Sequence, residues 1–460
     1  MIAAAARARP VSRVVGLWLS PSTASWARRA IAASGCLLVL DSAGTLHFGY
    51  TLTLSYLLII IGCLLGAPEL ARRWGVQPAL LRALAVSLFV VYVLAAIAGD
   101  PTTLATSQRA GAQREFVYLF DLALGLTTLV LVPALWHRTS AAVLARALAV
   151  AGALAGAYGV YQWLALRYGL PFADINNTLD SNGVTTGASQ GIGLFGGARI
   201  RGTFLEPHFL GAFLAAVLPL QAWSTVHYER RMRALSGVGF ALSLLALLLT
   251  DSAAAWGTLA LATASAALLV VVGRGEIRAA AAIGVAVAAL WMAIVPTLAA
   301  PGVLASLTGR PSAELNYTTS YRTAIWKRDV KVWEARPVLG YGPGQSAVQV
   351  AYAYTAPAKP QTLVSAQGVW ASALIDAGVV GLCGWLYLVG TVLVTGSRGV
   401  IRRPTLLAGA AFAAALAVVV DIATSGDRLD PRHWLLLGLL LAASRSQSSS
   451  EAGEGQQQAG

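Results

Sequence analysis

Apolar runs of roughly 17 to 25 residues recur along almost the whole of this chain, and that repetition restricts the fold more than any other feature. In hydrocarbon every backbone N–H and C=O must find a partner inside the protein. A segment of this kind therefore crosses as an α-helix, about 20 residues covering ~30 Å. Of 460 residues, 57% are hydrophobic and only 12% are charged, against about 25% charged in a soluble domain, and the mean hydropathy is +0.66. These features predict an all-α, polytopic integral membrane protein with about twelve transmembrane helices. The spans fall near residues 30–48, 51–67, 79–98, 115–136, 143–166, 207–225, 236–250, 254–272, 278–300, 367–395, 405–420 and 431–444.

Arginine sets the orientation, because cytoplasmic loops near span ends hold the excess of Lys and Arg. Arg7, Arg9, Arg13, Arg28 and Arg29 precede the first span, Arg72 and Arg73 follow the second, Arg230, Arg231 and Arg233 follow the sixth, and Arg398, Arg402 and Arg403 follow the tenth. With twelve alternating spans all of these share one side with Arg274 and Arg278, and both termini are cytoplasmic. The organisation read this way is a basic segment 1–29, spans one to nine over 30–300 with an outer loop 167–206, a large outer loop 301–366, spans ten to twelve over 367–444, and a disordered tail 445–460. The first 29 residues are too weakly apolar for a cleaved leader, so the first helix is expected to stay as an anchor. The net charge of +13 then reports topology, and no nucleic-acid partner is expected. Cys36, Cys63 and Cys383 fall inside spans and offer neither disulfide pairing nor metal-ligand spacing.

The outer loops hold the chemistry. Residues 318–336, TTSYRTAIWKRDVKVWEAR, predict an amphipathic helix: Arg322, Trp326, Val330 and Trp333 recur at intervals of three and four, and Lys327, Arg328, Lys331 and Glu334 occupy the other face. The chain's lysines, Lys327, Lys331 and Lys359, all lie in this loop. Two readings stay open: an interfacial helix resting Trp on lipid and Lys on head groups, or a cationic lid over an anionic lipid-linked substrate. The turn P-V-L-G-Y-G-P-G follows, in which Gly340, Gly342 and Gly344 either bring backbone amides close to an anion or simply make a turn. The other long loop ends in Arg199, Arg201, Glu206 and His208. Arginine suits diphosphate because its planar fork donates parallel hydrogen bonds and keeps its charge, and a carboxylate with an imidazole offers a general base. The alternative is internal pairing of those arginines with Glu206 or Asp180, with His208 as a polar residue at a helix end.

Arg199, Gly202, Thr203 and Phe204 as R-x-x-G-T-F leading into a span, Arg322 and Trp326 as R-x-x-x-W, Pro337, Gly340 and Gly342 as P-x-x-G-x-G, and residues 367–382 after the loop together resemble the O-antigen ligase and Wzy O-antigen polymerase superfamily, over about residues 195–390. The resemblance implies a GT-C-like inner-membrane glycosyltransferase of lipopolysaccharide or polysaccharide biosynthesis. It would take a glycan from undecaprenyl diphosphate at the periplasmic face and pass it to another lipid-linked glycan or to the lipid A core, among membrane lipids, with neither metal nor cofactor. Arg199 and Arg322 inherit diphosphate binding by position, with Arg201 and Arg328 as further ligands, and Trp326, Lys331, Gly340, Gly342 and Gln367 as loop or glycan contacts.

Two departures from the family pattern shift the balance. Ligases carry a histidine where Gln367 stands, and glutamine is no base at neutral pH. In the turn 250–253 many relatives have an arginine where Ala253 stands, so that phosphate ligand is either missing or supplied by Arg201, Arg328 or Arg432. Candidate bases on the outer face are Glu206, His208, Asp251, His433 and Asp376, with Glu206 preferred because it shares a loop with Arg199. Polymerase is favoured over ligase on Gln367 and Glu206. A lipid-linked oligosaccharide flippase is the alternative from another class, and its arginines would line a path through the bundle. Asp41, Asp121 and Asp376 fall within spans, where a charge faces a cavity or a partner.

Overall fold

The computed structural model describes residues 21–40, 45–47, 51–76, 78–99, 111–136, 138–173, 175, 199–204, 206–299, 324–346, 348–350, 366, 368–424 and 431–445. The helices in chain order are α1 (Pro21–Leu37), α2 (Leu54–Arg73), α3 (Ala79–Ala98), α4 (Gly111–Leu135), α5 (Arg138–Tyr168), α6 (Pro207–His227), α7 (Arg230–Leu249), α8 (Ala253–Gly273), α9 (Ile277–Ala299), α10 (324–334), α11 (Gly368–Arg402), α12 (Leu406–Thr424) and α13 (Pro431–Ala443). Each expected span overlaps one of them. Among the described residues nine helices, α2 to α8 with α11 and α12, are long and apolar enough to cross a membrane.

The first expected span meets a helix only in part, and that helix, α1, is not among the nine. The apolar run that suggests 30–48 leaves the α-helix at Leu37, and an antiparallel hairpin of β1 (Thr45–His47) and β2 (Thr51–Thr53) follows, with Leu46 opposite Leu52. This is a small departure from an all-α chain. The Thr53 hydroxyl then accepts the Tyr56 amide at 3.2 Å and caps α2. Arg28 and Arg29, expected ahead of the first span, lie within α1, and Arg398 and Arg402, expected after the tenth, lie within α11. Asp121 of α4 accepts a hydrogen bond from the Tyr56 hydroxyl of α2, whereas Asp41 is outside the described residues.

The bundle is organised around α6, whose apolar window is 78% buried. Its sequence is apolar on every side, as a helix surrounded by other helices requires, and it packs against α5, α7, α8 and α12. Small residues let the backbones close: a Cβ on Gly156 of α5 would lie 2.5 Å from the Ser243 Cα of α7. Gln221 Nε2 joins the three helices, donating to Ala149 O at 3.0 Å and to Ser243 Oγ at 2.9 Å, while Ser243 donates on to Gly152 O at 2.9 Å.

Helix α11 runs 35 residues but breaks at Gly378, where φ is 67° and ψ is −166°. The turn after α10 docks into that break. Tyr341 and Gly342 amides donate to Ile375 O and Asp376 O, both at 2.9 Å, and the Val379 amide donates to Pro337 O at 2.9 Å. A Cβ at Gly378 would run into Val338 O. Gly378→Ala therefore combines a left-handed φ with a backbone clash and is expected to cost several kcal/mol, about 1–2 from the dihedral and about 1–3 from the overlap. Gly390→Ala, where a Cβ meets nothing within 4 Å, serves as the control. The thermal unfolding midpoints of the two detergent-solubilised variants should separate clearly; equal midpoints would refute the docking.

Candidate active site

Residues 199–204 enter α6 along a path that other elements impose. The Ile200 amide donates to Leu249 O of α7 at 3.4 Å, the Arg201 and Gly202 amides both donate to Gln162 Oε1 of α5 at 3.0 and 2.8 Å, and the Thr203 hydroxyl donates to Val39 O just after α1. The Gly202 φ of +59° is the left-handed turn that glycine supplies most cheaply.

The two arginines on this segment do not present alike. Arg199 is half-buried and commits Nε to Thr250 O at 3.1 Å and Nη2 to Asp251 O at 3.4 Å, bridging to the α7–α8 turn. Asp251, one of the candidate bases, is buried there at a φ of +50°. Arg201 is 0% exposed, so an external ligand does not reach it in this conformation.

Glu206 is the N-cap of α6 and Pro207 its first residue, the position where a missing N–H costs nothing. Its carboxylate makes no capping bond; Oε2 lies 3.0 Å from Nδ1 of His208. The Glu206 side chain is 42% exposed and that of His208 25%, which leaves the carboxylate reachable from outside. The positive end of the α6 dipole favours an anion at this place, and the imidazole can share a proton with it.

An aromatic floor adjoins the pair. The Phe204 and Phe213 rings stand 5.2 Å apart, the His208 and Phe209 rings 4.0 Å apart, and the Arg432 guanidinium lies 5.1 Å over Phe204. Phe209, Phe213, Val418, Asp421, Arg432 and His433 help to line a cleft between α6, α12 and α13. His433 Nε2 is 3.9 Å from Asp421 Oδ2. Sequence reasoning passes over Asp421, although it is the charged residue that ends the apolar run of α12.

The second loop divides differently from its expected stripe. In α10 the buried positions are Ile325, Asp329 and Val332, while Trp326, Lys327, Val330, Lys331 and Glu334 are exposed and Arg328 is half-buried. Trp326 thus shares the outer surface with the lysines, because the face of α10 that packs toward Ala371 and Ile375 of α11 is set one residue earlier. Gly340 and Gly342 serve packing: the Gly340 amide donates to Arg336 O at 3.2 Å and the Gly342 amide to Asp376 O, so neither is open to an anion. Asp376 is 0% exposed and its Oδ1 accepts the Ser346 amide at 2.6 Å. Glu115 of α4, which the sequence does not single out, accepts Gln345 Nε2 at 3.1 Å. Arg322, Lys359 and Gln367 lie outside the described residues.

Residues 238–386 match the Wzy_C family model, described as O-antigen ligase. The match runs from α7 through the break in α11; residues 199–208, α12 and α13 fall outside it. No curated protein matches the chain.

Gln162 carries the geometry of the arginine segment. Gln162→Leu leaves two buried amides without their acceptor, at about 1–3 kcal/mol each, and should lower the unfolding midpoint of the purified protein markedly. An unchanged midpoint would show that the amides have another acceptor.

Proposed function

We propose that this chain, whose residues 238–386 match the O-antigen ligase family model, is a glycosyltransferase of the inner membrane that uses a glycan on undecaprenyl diphosphate as donor at the periplasmic face, and that it is of the polymerase type. The observation that carries the reading is the Glu206–His208 pair, 3.0 Å apart and partly exposed, at the start of a largely buried helix and in the same segment as Arg199. The acceptor is a second lipid-linked glycan; Gln367 in place of the ligase histidine supports this over lipid A core.

In the reaction an acceptor hydroxyl attacks C1 of the donor sugar. The new bond forms between acceptor oxygen and C1, the bond from C1 to the diphosphate oxygen breaks, and the hydroxyl proton passes to Glu206. The departing diphosphate carries the electron pair, and guanidinium groups at the site stabilise its charge. His208 holds the carboxylate in place and takes part of the proton's charge. The exposed Trp326 and Lys331 of α10 offer a stacking surface and a cation to the glycan.

Glu206→Gln keeps size and loses the base. It should reduce glycan transfer at least about 100-fold while membrane insertion and unfolding midpoint stay unchanged; retained transfer removes Glu206 from the mechanism. Deleting the gene and resolving the surface glycan on a gel tests the class. A core-plus-one-repeat band supports the polymerase, an intact core without any ladder indicates a ligase, and accumulation of the repeat on the cytoplasmic side indicates a flippase.

A further inference from the structure

We infer that Arg146 heads a phospholipid site at the end of the bundle opposite Glu206, where its guanidinium pairs with the phosphate of an anionic membrane lipid and an acyl chain lies along α5. Arg146 stands in the third turn of α5, about 12 Å from the helix start at 1.5 Å per residue, within a stretch long and apolar enough to cross a membrane. A charge in such a stretch calls for a counter-charge. Among the described residues Arg146 has neither a carboxylate partner nor a hydrogen-bond acceptor. Its contacts are two aromatic rings: Cζ lies 5.9 Å from the Trp223 ring centre and 5.2 Å from that of Tyr228.

The two rings fix the guanidinium and leave its charge and N–H donors for a phosphate. The cradle itself is held firmly, since Trp223 is 6% exposed and Gln221, beside it, donates to Ala149 O of α5 and Ser243 Oγ of α7. Arg230 and Arg231, exposed in the first turn of α7, also have no carboxylate partner among the described residues, although Glu229 precedes them. Positive charge is thus in excess here, which suits a head group that is negative overall. Below the cation the surface turns apolar. Val143, Arg146, Val150 and Leu154 recur at intervals of three and four and are all exposed, so they share one face of α5. A water-borne anion would use the cation alone, whereas a phospholipid uses the cation and the strip of Val150 and Leu154. Once occupied, the site joins α5, α6 and α7 at the ends opposite Gln162, Glu206 and the Leu249 carbonyl that holds Ile200.

Lipid titration of the purified full-length protein in detergent, read by native mass spectrometry, tests this with phosphatidylglycerol as the probe and phosphatidylcholine and inorganic phosphate as comparisons. The wild-type protein should bind phosphatidylglycerol at least about fivefold more tightly than phosphatidylcholine, and inorganic phosphate should not displace it. Arg146→Gln should weaken phosphatidylglycerol at least about fivefold, and Arg146→Lys, which keeps the charge and loses the planar fork, about twofold. Arg278→Gln, which removes another exposed arginine at the start of α9, should leave that binding unchanged. The unfolding midpoint without lipid reports folding; should Arg146→Gln not fold, Arg146→Lys carries the test. A wild-type protein without the preference for phosphatidylglycerol, or undiminished binding by the folded Arg146 variant, overturns the site. Equal weakening by Arg278→Gln reduces it to general surface charge and overturns it as well, and displacement by inorganic phosphate overturns the lipid as its occupant.

Discussion

A helix that breaks inside an apolar bundle leaves amides and carbonyls that cost several kcal/mol each if they stay unpaired, and the break at Gly378 is where this protein meets that cost. The segment after α10 supplies the missing partners: Pro337 O and Val338 O accept from Val379 and Val380, and Tyr341 and Gly342 donate to Ile375 and Asp376. The exchange works only because glycine stands where the two backbones touch. A Cβ at Gly340 would run into Ile375 O, and one at Gly99, at the end of α3, would lie 2.6 Å from Tyr341 O. The turn is therefore a strut between α3 and α11, and α10 is held over the bundle by it.

The same turn is tied sideways by carboxylates. Asp376 accepts the Ser346 amide, Glu115 accepts Gln345, and Trp385 of α11 donates to the Tyr92 hydroxyl of α3 at 2.9 Å, whose ring stacks on Tyr118 of α4 at 5.8 Å. Acidic groups buried within membrane-length helices usually mark function. Here Asp376 and Glu115 hold backbone and amide donors of one loop, and the fixed position of that loop is what they contribute.

Much of this is legible in the sequence. Each expected span overlaps a helix, and nine of those helices are, among the described residues, long and apolar enough to cross a membrane. The N-terminal boundary shifts because hydropathy counts residues 36–40 as apolar without regard to where the chain leaves the helix. The stripe of Arg322, Trp326, Val330 and Trp333 at intervals of three and four sets Trp326 opposite the lysines, whereas Ile325, Asp329 and Val332 take the buried face and Trp326 shares the exposed one; Asp329 on the buried side breaks the pattern. Glycine spacing in P-V-L-G-Y-G-P-G points to close backbone approach, and the structure has it, but composition does not say whether the approaching partner is an anion or a carbonyl of α11. Pairs such as Gln162 with residues 201 and 202, or Asp421 with His433, link segments that neither periodicity nor spacing connects, and they leave no local signal.

The site's layout follows from which helix cannot move. A transfer reaction gains most when donor phosphate and acceptor hydroxyl are held in one frame, since the entropy of bringing them together is then already spent. Helix α6 is buried along most of its length and packs against α5, α7, α8 and α12, and its half-exposed first turn is anchored by that packing. Glu206, His208 and Phe209 are on that turn, Arg199 is bonded across to the turn before α8, and Arg432 reaches Phe204 from α13. The family match covers the scaffold from α7 to α11, with α10 inside it, so the matched region frames the site while the proposed chemistry comes from segments on both sides of it. In the reaction proposed above, the close packing of α6 is what brings groups from such separate parts of the chain to one place.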